Sequence, residues 1–301
     1  MTSPKLTIEI SPIKYILRNA EEHDMVAKLL PKDKEEVKLM MTGKLSASFM
    51  NSIRRCLISE IPINELYAKR EDITTDEDFP DDWLESRIAC IPIKQDYNHL
   101  ECKFHLKNDD ATERIITTSD MDFKDSGDIV KPCDQFQVLF LSAHKTATIN
   151  SITTIKRYGY LDGVVTAAVM KYYDSDDNSA TMIVQTNNTF DAKSLIPIVC
   201  DELILRFGRL IEFLEDDSDT SDFYILKISS ELNHLTVFGE SHTMANILVE
   251  CIYELDPSIT YLNYKLTHES ERNFILQWRH PDKKIVLNGA KLAVSIYQSF
   301  K

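Results

Sequence analysis

The stretch FMNSIRRCLISEIP, residues 49–62, predicts an amphipathic helix that ends at a proline. Pro62 stops a helix because its ring removes a backbone donor and clashes with the preceding turn. At 100° per residue, polar side chains such as Asn51 and Arg55 fall on one face, whereas Ile58 departs from the pattern. The other face is apolar and must be buried against a second element. It consists of Phe49, Met50, Ile53, Cys56 and Leu57.

A second stretch, MANILVECIYELDP at residues 244–257, repeats this pattern. Asn246 takes the position of Asn51, Cys251 takes that of Cys56, and both stretches end in a proline. Matching positions for an asparagine, an apolar stripe and a proline indicate a duplicated module. We therefore expect the two stripes to be buried in one shared core. The second stripe consists of Met244, Leu248, Cys251, Ile252 and Leu255.

Length and composition indicate a folded chain with room for two or three domains. It has 301 residues, 43% of them hydrophobic and 27% charged, which is the balance of a globular protein. A net charge of −14 argues against a main role in nucleic-acid binding, because phosphate contacts need clustered lysine and arginine. No secretory signal or membrane-length apolar run is visible, and the six cysteines are scattered. We therefore expect an intracellular protein with no membrane segment.

The first part of the chain predicts strands around the first helix. Residues 6–16 alternate loosely, and Pro12 indicates that this strand lies at a sheet edge or in a break. A second strand is predicted at 37–42. The acidic run at 72–83 is expected to be a solvated loop, and residues 100–173 are mostly strand-like.

The later part of the chain repeats the plan of the first part. A strand at 181–186 leads to a helix that starts at Asp191 and runs to about Leu214. The acidic run at 215–222 is the clearest linker. The fold class is therefore α+β. The elements predicted after the linker are strands at 223–230 and 234–240, a helix at 243–255, strands at 259–268 and 273–280, and a helix at 283–300.

Both helices resemble signatures of one protein family. NSIRRCLISEIP is similar to a helix of the bacterial RNA polymerase α subunit and of the third-largest subunit of eukaryotic polymerase II. SHTMANILVECIYELDPSITYLNYKLTH, residues 241–268, resembles the matching segment of the smaller partner, the archaeal L-type or eukaryotic eleventh subunit. In that family two separate proteins pair through these helices, whereas here both signatures lie on one chain.

The resemblance implies an intramolecular pseudo-dimer of two dimerisation modules. The first would comprise 1–62 and 180–214, with a β-rich domain inserted at 63–179. The linker at 215–222 would lead to the second module at 223–301. The implied function is a non-catalytic scaffold subunit of a DNA-directed RNA polymerase. It would bring together the largest and second-largest subunits, with the small subunits, and would meet nucleic acid only through the complex.

The family also implies contact residues and a setting. It uses an arginine at this place in the first helix to bind the second-largest subunit, so Asn51, Arg54 and Arg55 are candidate contacts. Arg87 lies in WLESRIACIPI, residues 83–93, which matches a feature of the family's inserted domain. A fused chain of this kind resembles those of large DNA viruses that transcribe in the host cytoplasm, which implies a virion and host-cytoplasm location.

No cofactor is expected. Eukaryotic members often carry a four-cysteine zinc site in the inserted domain, but this region has only Cys90, Cys102 and Cys133, with no CxxC pair. Structural zinc needs four convergent ligands, so we predict no metal.

The sequence contains none of the common catalytic motifs. Glycine-rich phosphate loops, HExxH and GxSxG are all absent. His242 could act as a general base, or it could hydrogen-bond near the start of the second helix. The alternative to a scaffold is a stand-alone enzyme or ligand-binding protein whose site is assembled from residues distant in sequence. The absence of motifs favours the scaffold.

Overall fold

The chain is a mixed α+β protein with several antiparallel sheets. Its computed structural model describes residues 4–12, 35–78, 82–93, 102–121, 136–159, 168–176, 178–186, 189–216, 219–268, 271–280 and 282–301. Within these ranges, none of the helices combines the length and the apolar composition needed to cross a membrane.

The elements follow the predicted order closely. The helices are α1 (Ser46–Arg55), α2 (Trp83–Ala89), α3 (Leu195–Glu215), α4 (His242–Leu255) and α5 (Lys284–Gln298). The strands are β1 (Lys5–Pro12), β2 (Glu35–Thr42), β3 (Pro62–Tyr67), β4 (Ile73–Thr75), β5 (Cys102–Lys107), β6 (Arg114–Thr117), β7 (Gln137–Leu141), β8 (Thr146–Tyr158), β9 (Ala168–Ser175), β10 (Ser179–Thr186), β11 (Tyr224–Lys227), β12 (Asn233–Phe238), β13 (Leu262–Leu266) and β14 (Asn273–Trp278).

Two four-stranded antiparallel sheets have the same topology. The first has the order β1-β2-β10-β9 and the second the order β11-β12-β14-β13. In both, one helix follows the second strand and another follows the last strand in sequence. We call β1, β2, β9, β10, α1 and α3 the first unit, and β11–β14, α4 and α5 the second unit. The repeat seen in the sequence is therefore a repeat of topology.

Helices at equivalent positions in the two units pack against each other. α1 contacts α4, and α3 contacts α5. At the centre of this packing the ring of Tyr297 lies 4.9 Å from that of Phe49 and 6.3 Å from that of Phe207. The Tyr297 hydroxyl is buried and is 2.7 Å from the Ser52 hydroxyl, so the polar tip of the ring has a partner. One hydrophobic core runs through both units.

Nine of the ten residues predicted for the shared core are buried in it, namely Phe49, Met50, Ile53, Cys56, Leu57, Met244, Leu248, Cys251 and Ile252. The tenth, Leu255, is 37% exposed, so its assignment to the core was wrong. Leu255 is the last residue of α4, and the chain turns away after it toward β13.

A π-helical turn follows α1 directly. Residues Cys56–Glu60 form this π segment, which the bond from the Ile61 amide to the Cys56 carbonyl closes at 3.2 Å. The wider turn explains why Ile58, which is only half-buried, departs from the α-helical pattern. Pro62 ends the helix as predicted, and it is also the first residue of β3.

The segment Pro62–Tyr158, which we call the β-rich segment, has its own core. The long strand β8 pairs with β3, β4 and β5, while β6 and β7 form a separate two-stranded sheet. α2 packs against β3 and β7. Strand β9 lies outside this segment, because it pairs with β10 in the first unit. The sequence had placed residues 168–175 in the inserted domain.

The acidic run at 72–83 is not simply a solvated loop. Ile73–Thr75 forms β4, which pairs with β8. Asp76 accepts a hydrogen bond from Thr146, and Glu77 accepts one from the Ser142 hydroxyl at 3.1 Å. A three-residue strand among acidic residues is too short to show alternation in sequence, which is why it was missed.

Other boundaries follow local hydrogen bonding. β1 is an edge strand, as Pro12 predicted. The helix expected from Asp191 starts with a 3-10 turn, and the Asp191 side chain makes no capping bond. In the acidic linker, the Leu226 amide donates to the Asp219 carbonyl and Thr220 bridges to Ile225, so the end of the linker folds back along β11.

A substitution at Gly289 tests how closely α4 and α5 pack. A Cβ added at Gly289 would lie 2.7 Å from Ile252 Cγ1 and 3.5 Å from Leu248 Cδ1. We therefore expect Gly289→Ala to lower stability by about 1–3 kcal/mol through overpacking. Gly208, inside α3, has nothing within 4 Å of such a Cβ. Gly208→Ala is the matched control and should raise stability by about 0.5–1 kcal/mol. Chemical denaturation of both variants checks this, and equal effects would contradict the close approach.

Candidate functional site

Charged side chains are buried where the π segment, α3 and the start of α4 meet. Glu60 is 1% exposed and Arg206 is 6% exposed, although both carry a full charge. Burying such groups is costly unless they are paired and hydrogen-bonded. We call this cluster the charged junction, and it consists of Arg55, Glu60, Arg206, Glu240 and Arg272.

Glu60 comes from the first unit, and the second unit supplies many of its partners. The Thr243 hydroxyl donates to Glu60 Oε1 at 2.6 Å, and the Ser241 hydroxyl lies 3.4 Å from the same oxygen. Arg272 Nη2 is 3.6 Å from Glu60 Oε2. The carboxylate therefore joins the end of the first unit's helix to the start of α4.

Arg206 connects the two carboxylates of the junction. Its Nη1 donates to Glu60 Oε2 at 2.8 Å, and its Nε donates to Glu240 Oε1 at 2.7 Å. Its Nη2 donates to the other oxygen of Glu240, so that pair is bidentate. Two parallel charge-assisted bonds fix both distance and orientation. Arg206 lies in the first unit and Glu240 in the second, so this pair also crosses between the units.

Arg55 belongs to this network and does not present a free outward face. Its Nε donates to the Thr243 hydroxyl at 2.9 Å, and its Nη2 lies 3.7 Å from Glu60 Oε1. The structure thus places this predicted partner contact at the junction between the units. The helical periodicity of the sequence separated Arg55 from the apolar stripe correctly, but it could not show that α4 begins beside that face.

The junction shifts the pKa values of its members. Burial by itself would raise the pKa of Glu60, but Arg206, Arg272 and the Thr243 hydrogen bond outweigh it and lower that pKa. For Arg206, burial acts to lower the pKa, and the bonded Glu240 together with Glu60 raises it well above the usual value. Both groups therefore stay charged at neutral pH.

An open cleft lies over the junction. Its wall includes Tyr158 from the end of β8, Glu202 and Arg209 from α3, and the two rings Phe223 and Phe238. Burial raises the pKa of Glu202, an effect that Arg206 partly offsets. A general acid or base at neutral pH needs a pKa near 7, and the lowered pKa of Glu60 does not suit that task. The buried bonds of Glu60 and Arg206 hold the π segment, α3 and the start of α4 together.

The remaining predicted contact residues lie elsewhere. Arg54 Nε donates to Asn51 Oδ1 at 2.9 Å, and both side chains are half-buried on α1. Arg87 donates to the Gln137 carbonyl and lies 4.6 Å over the ring of Phe136. It therefore fastens α2 to β7. The structure does not bring Arg87 together with the α1 arginines in any described contact.

His242 makes a hydrogen bond near the start of α4, which is one of the two roles considered from the sequence. It is the first residue of α4, its side chain is exposed, and its Nδ1 lies 3.0 Å from the Tyr264 hydroxyl. The imidazole also packs edge-on against the Tyr264 ring. This contact ties the start of α4 to β13 within the second unit.

The cysteines divide into buried and partly exposed thiols. Cys56, Cys200 and Cys251 are buried, and burial raises the pKa of Cys200 to about 12. Such thiols are inert toward metals and oxidants at neutral pH. Cys90 is partly exposed, whereas Cys133 lies outside the described residues. The absence of zinc stays a prediction.

Sequence reasoning missed Glu60, Arg206 and Glu240, although a signal for two of them was present. Glu60 continues the stripe of Ile53, Cys56 and Leu57 at helical spacing, and Arg206 lies between Leu203 and Leu210 on the buried face of α3. Opposite charges within two apolar stripes indicate a buried pair.

No protein-family model matches the sequence of this chain, and none of the curated proteins matches it.

The charged junction predicts a specific loss of stability in acid. Because the folded-state pKa of Glu60 is lowered, its contribution is complete above the pKa of an unfolded glutamate, about 4.3, and is lost as the pH falls below it. Glu60→Gln leaves Arg206 with one partner fewer and should cost about 3 kcal/mol at pH 7. The difference in the free energy of unfolding between wild type and variant should become smaller as the pH falls from 6 to 3.

Urea denaturation at each pH measures this difference in the free energy of unfolding. Glu231→Gln changes an exposed glutamate and serves as the control, with little effect at any pH. A difference of constant size from pH 6 to pH 3 would show that Glu60 is not held ionised by the junction.

Proposed function

We propose that this chain is a non-catalytic assembly scaffold subunit of a DNA-directed RNA polymerase. In this proposal its two units form an intramolecular pseudo-dimer, and the β-rich segment is an insertion in the first unit. The observation that carries the proposal is the repeated topology, with α1 against α4 and α3 against α5. Contacts between equivalent elements are typical of a two-fold, isologous interface.

The chemistry of the charged junction supports a structural role. The carboxylate of Glu60 is saturated by hydrogen bonds and ion pairs from Arg206, Thr243 and Arg272. A catalytic carboxylate needs access to a substrate and a pKa matched to proton transfer. Stabilising the pairing of two units needs neither, and buried bidentate pairs supply the required geometry.

The proposed partners are the second-largest and largest polymerase subunits, with small subunits beside them. The resemblance of the two helices to the α-subunit family suggests these partners. It also suggests a viral fusion that works in the virion and the host cytoplasm. Nucleic acid would be contacted only through the assembled complex, in keeping with the net charge of −14.

The outward face of α1 is the proposed contact for the second-largest subunit. Asn51 and Arg54 bond to each other there, and Arg54 is the arginine of this helix that makes no described bond to the second unit. Guanidinium suits interface ion pairs because its donors form a rigid fork. Arg55 would act indirectly, by fixing α1 relative to α4, and Arg87 by fixing α2.

Isolation of the tagged chain from cells that produce it tests the proposal. We expect chains much larger than 301 residues to co-purify with it, identified by mass spectrometry, and polymerase activity to appear only in that complex. Recovery of the chain alone, or turnover of a substrate by the purified chain, would contradict the scaffold.

The substitution Arg54→Ala separates binding from folding. It removes a half-buried guanidinium whose described bond lies within α1, so the melting temperature should hardly change. Loss of one partner of a desolvated charge pair should weaken capture of the large subunit by about 2–5 kcal/mol, roughly 30-fold or more. A titrated pull-down at equal folded concentrations measures this.

Arg114→Ala is the matched control, since Arg114 lies on β6 of the two-stranded sheet and pairs with Asp120 in the turn that follows. It should leave capture unchanged. If Arg54→Ala and Arg114→Ala recover the partner equally well, the contact does not involve this face of α1.

A further inference from the structure

The two ends of the contact between the units differ in chemistry. Aligning α1 with α4 makes Glu60 equivalent to Leu255 and Leu45 equivalent to Glu240. Aligning the buried positions of α3 and α5 makes Arg206 equivalent to Ile296 and Phe207 equivalent to Tyr297. The proximity of these two rings, 6.3 Å apart, agrees with that alignment.

One end therefore carries a buried charged triad, whereas the positions equivalent in sequence at the other end are apolar, and Leu255 among them is 37% exposed. The charged triad is Glu60 and Arg206 of the first unit with Glu240 of the second. At the equivalent places of the other end stand Leu255, Ile296 and Leu45. An ion pair between Lys44 and Glu254 brings the start of α1 to the end of α4 there.

If two identical units paired, each end of the contact would combine residues of the charged triad with residues from the apolar positions. Two first units would place Leu45 of one copy where Arg206 of the other copy needs Glu240. Two second units would place Glu240 beside Leu255 and Ile296. Arg206 is 6% exposed and the Glu240 side chain is 13% exposed in the native pairing, and either mixed arrangement leaves one of these two groups without its bidentate partner.

We infer that the triad Glu60–Arg206–Glu240 determines which units pair, by selecting the second unit for the first and rejecting a like unit from a second copy of the chain. This inference rests on the equivalence of the two units that the proposed function uses. It adds a specificity device that acts through buried charges rather than through apolar area. Rejection of the wrong partner by an unpaired charge is a common route to specificity.

A chain cut in its linker tests the inference with both units present. A protease site is inserted between residues 216 and 219, the folded protein is cleaved, and the units are left to exchange in mild urea. Native mass spectrometry then counts the pairs. In wild type, more than about 90% of pairs should join a first to a second unit, because either like pair buries an unpaired charge.

The decisive variant converts the charged end into a copy of the apolar end. Glu60→Leu, Arg206→Ile and Glu240→Leu together remove the discriminating charges. Arg55 and Arg272, whose side chains are 32% and 23% exposed, keep access to water. The share of unlike pairs should then fall clearly below that of wild type, toward the half expected for units with equal affinity for like and unlike partners.

The double variant Ser52→Ala with Tyr297→Phe is the control. It removes the hydrogen bond between the units but keeps every junction charge, so pairing should stay as in wild type. The inference is overturned if the triple variant pairs like wild type, or if the control redistributes as much as the triple variant. These measurements need no polymerase subunit, so a failed scaffold role would not affect them.

If the triple variant does not fold, a reciprocal variant tests whether the charged triad selects the partner unit. Leu45→Glu, Leu255→Glu and Ile296→Arg place the charged triad at both ends, so like and unlike pairs become equally satisfied. Leu255 is exposed and Leu45 half-buried, which leaves room for the new carboxylates, whereas Ile296 is 4% exposed, so the new arginine there depends on pairing with them. Redistribution toward half unlike pairs supports the inference, and unchanged pairing contradicts it.

Discussion

The placement of the two units depends on the buried charges of Glu60 and Arg206 in the first unit, because both find partners in the second unit. A carboxylate with 1% exposure is tolerable only if charged and polar groups surround it. Arg206 approaches from α3, Thr243 from α4 and Arg272 from the residue just before β14. Apolar contacts depend on shape alone, whereas these bonds also require particular donors and acceptors to meet, so the charges add chemical specificity to the packing of the core.

Much of the fold was predictable because it follows from hydrophobic period. The stripe containing Ile53 and Leu248 repeats at helical spacing, and both residues are fully buried. The second copy of the strand–strand–helix plan could be found by aligning Asn51 with Asn246, since the two helices do the same task. The prediction that Leu255 is buried failed because an apolar stripe shows which face of a helix is buried but not where the helix ends, and α4 ends at that residue.

The site was less predictable, because its residues converge only through the tertiary fold. Glu240 precedes α4 in a stretch with no periodicity, and nothing local relates it to Arg206 in α3. Arg55 was correctly taken off the apolar stripe, yet its partner Thr243 belongs to the other unit. The charges at Glu60 and Arg206 were visible within apolar stripes, but a single sequence does not show which opposite charge each one meets.

The π segment explains how one short turn serves several parts of the molecule. An extra residue in the turn widens the helix at Cys56–Glu60, and such turns are frequent at functional sites. It leaves Cys56, Leu57 and Glu60 all buried and delivers the chain to Pro62, where β3 begins pairing with β8. Tyr158, at the end of β8, returns to the cleft over Glu60. The β-rich segment therefore starts just after Glu60 and ends beside the cleft over it, so the buried carboxylate lies where this segment meets the contact between the two units.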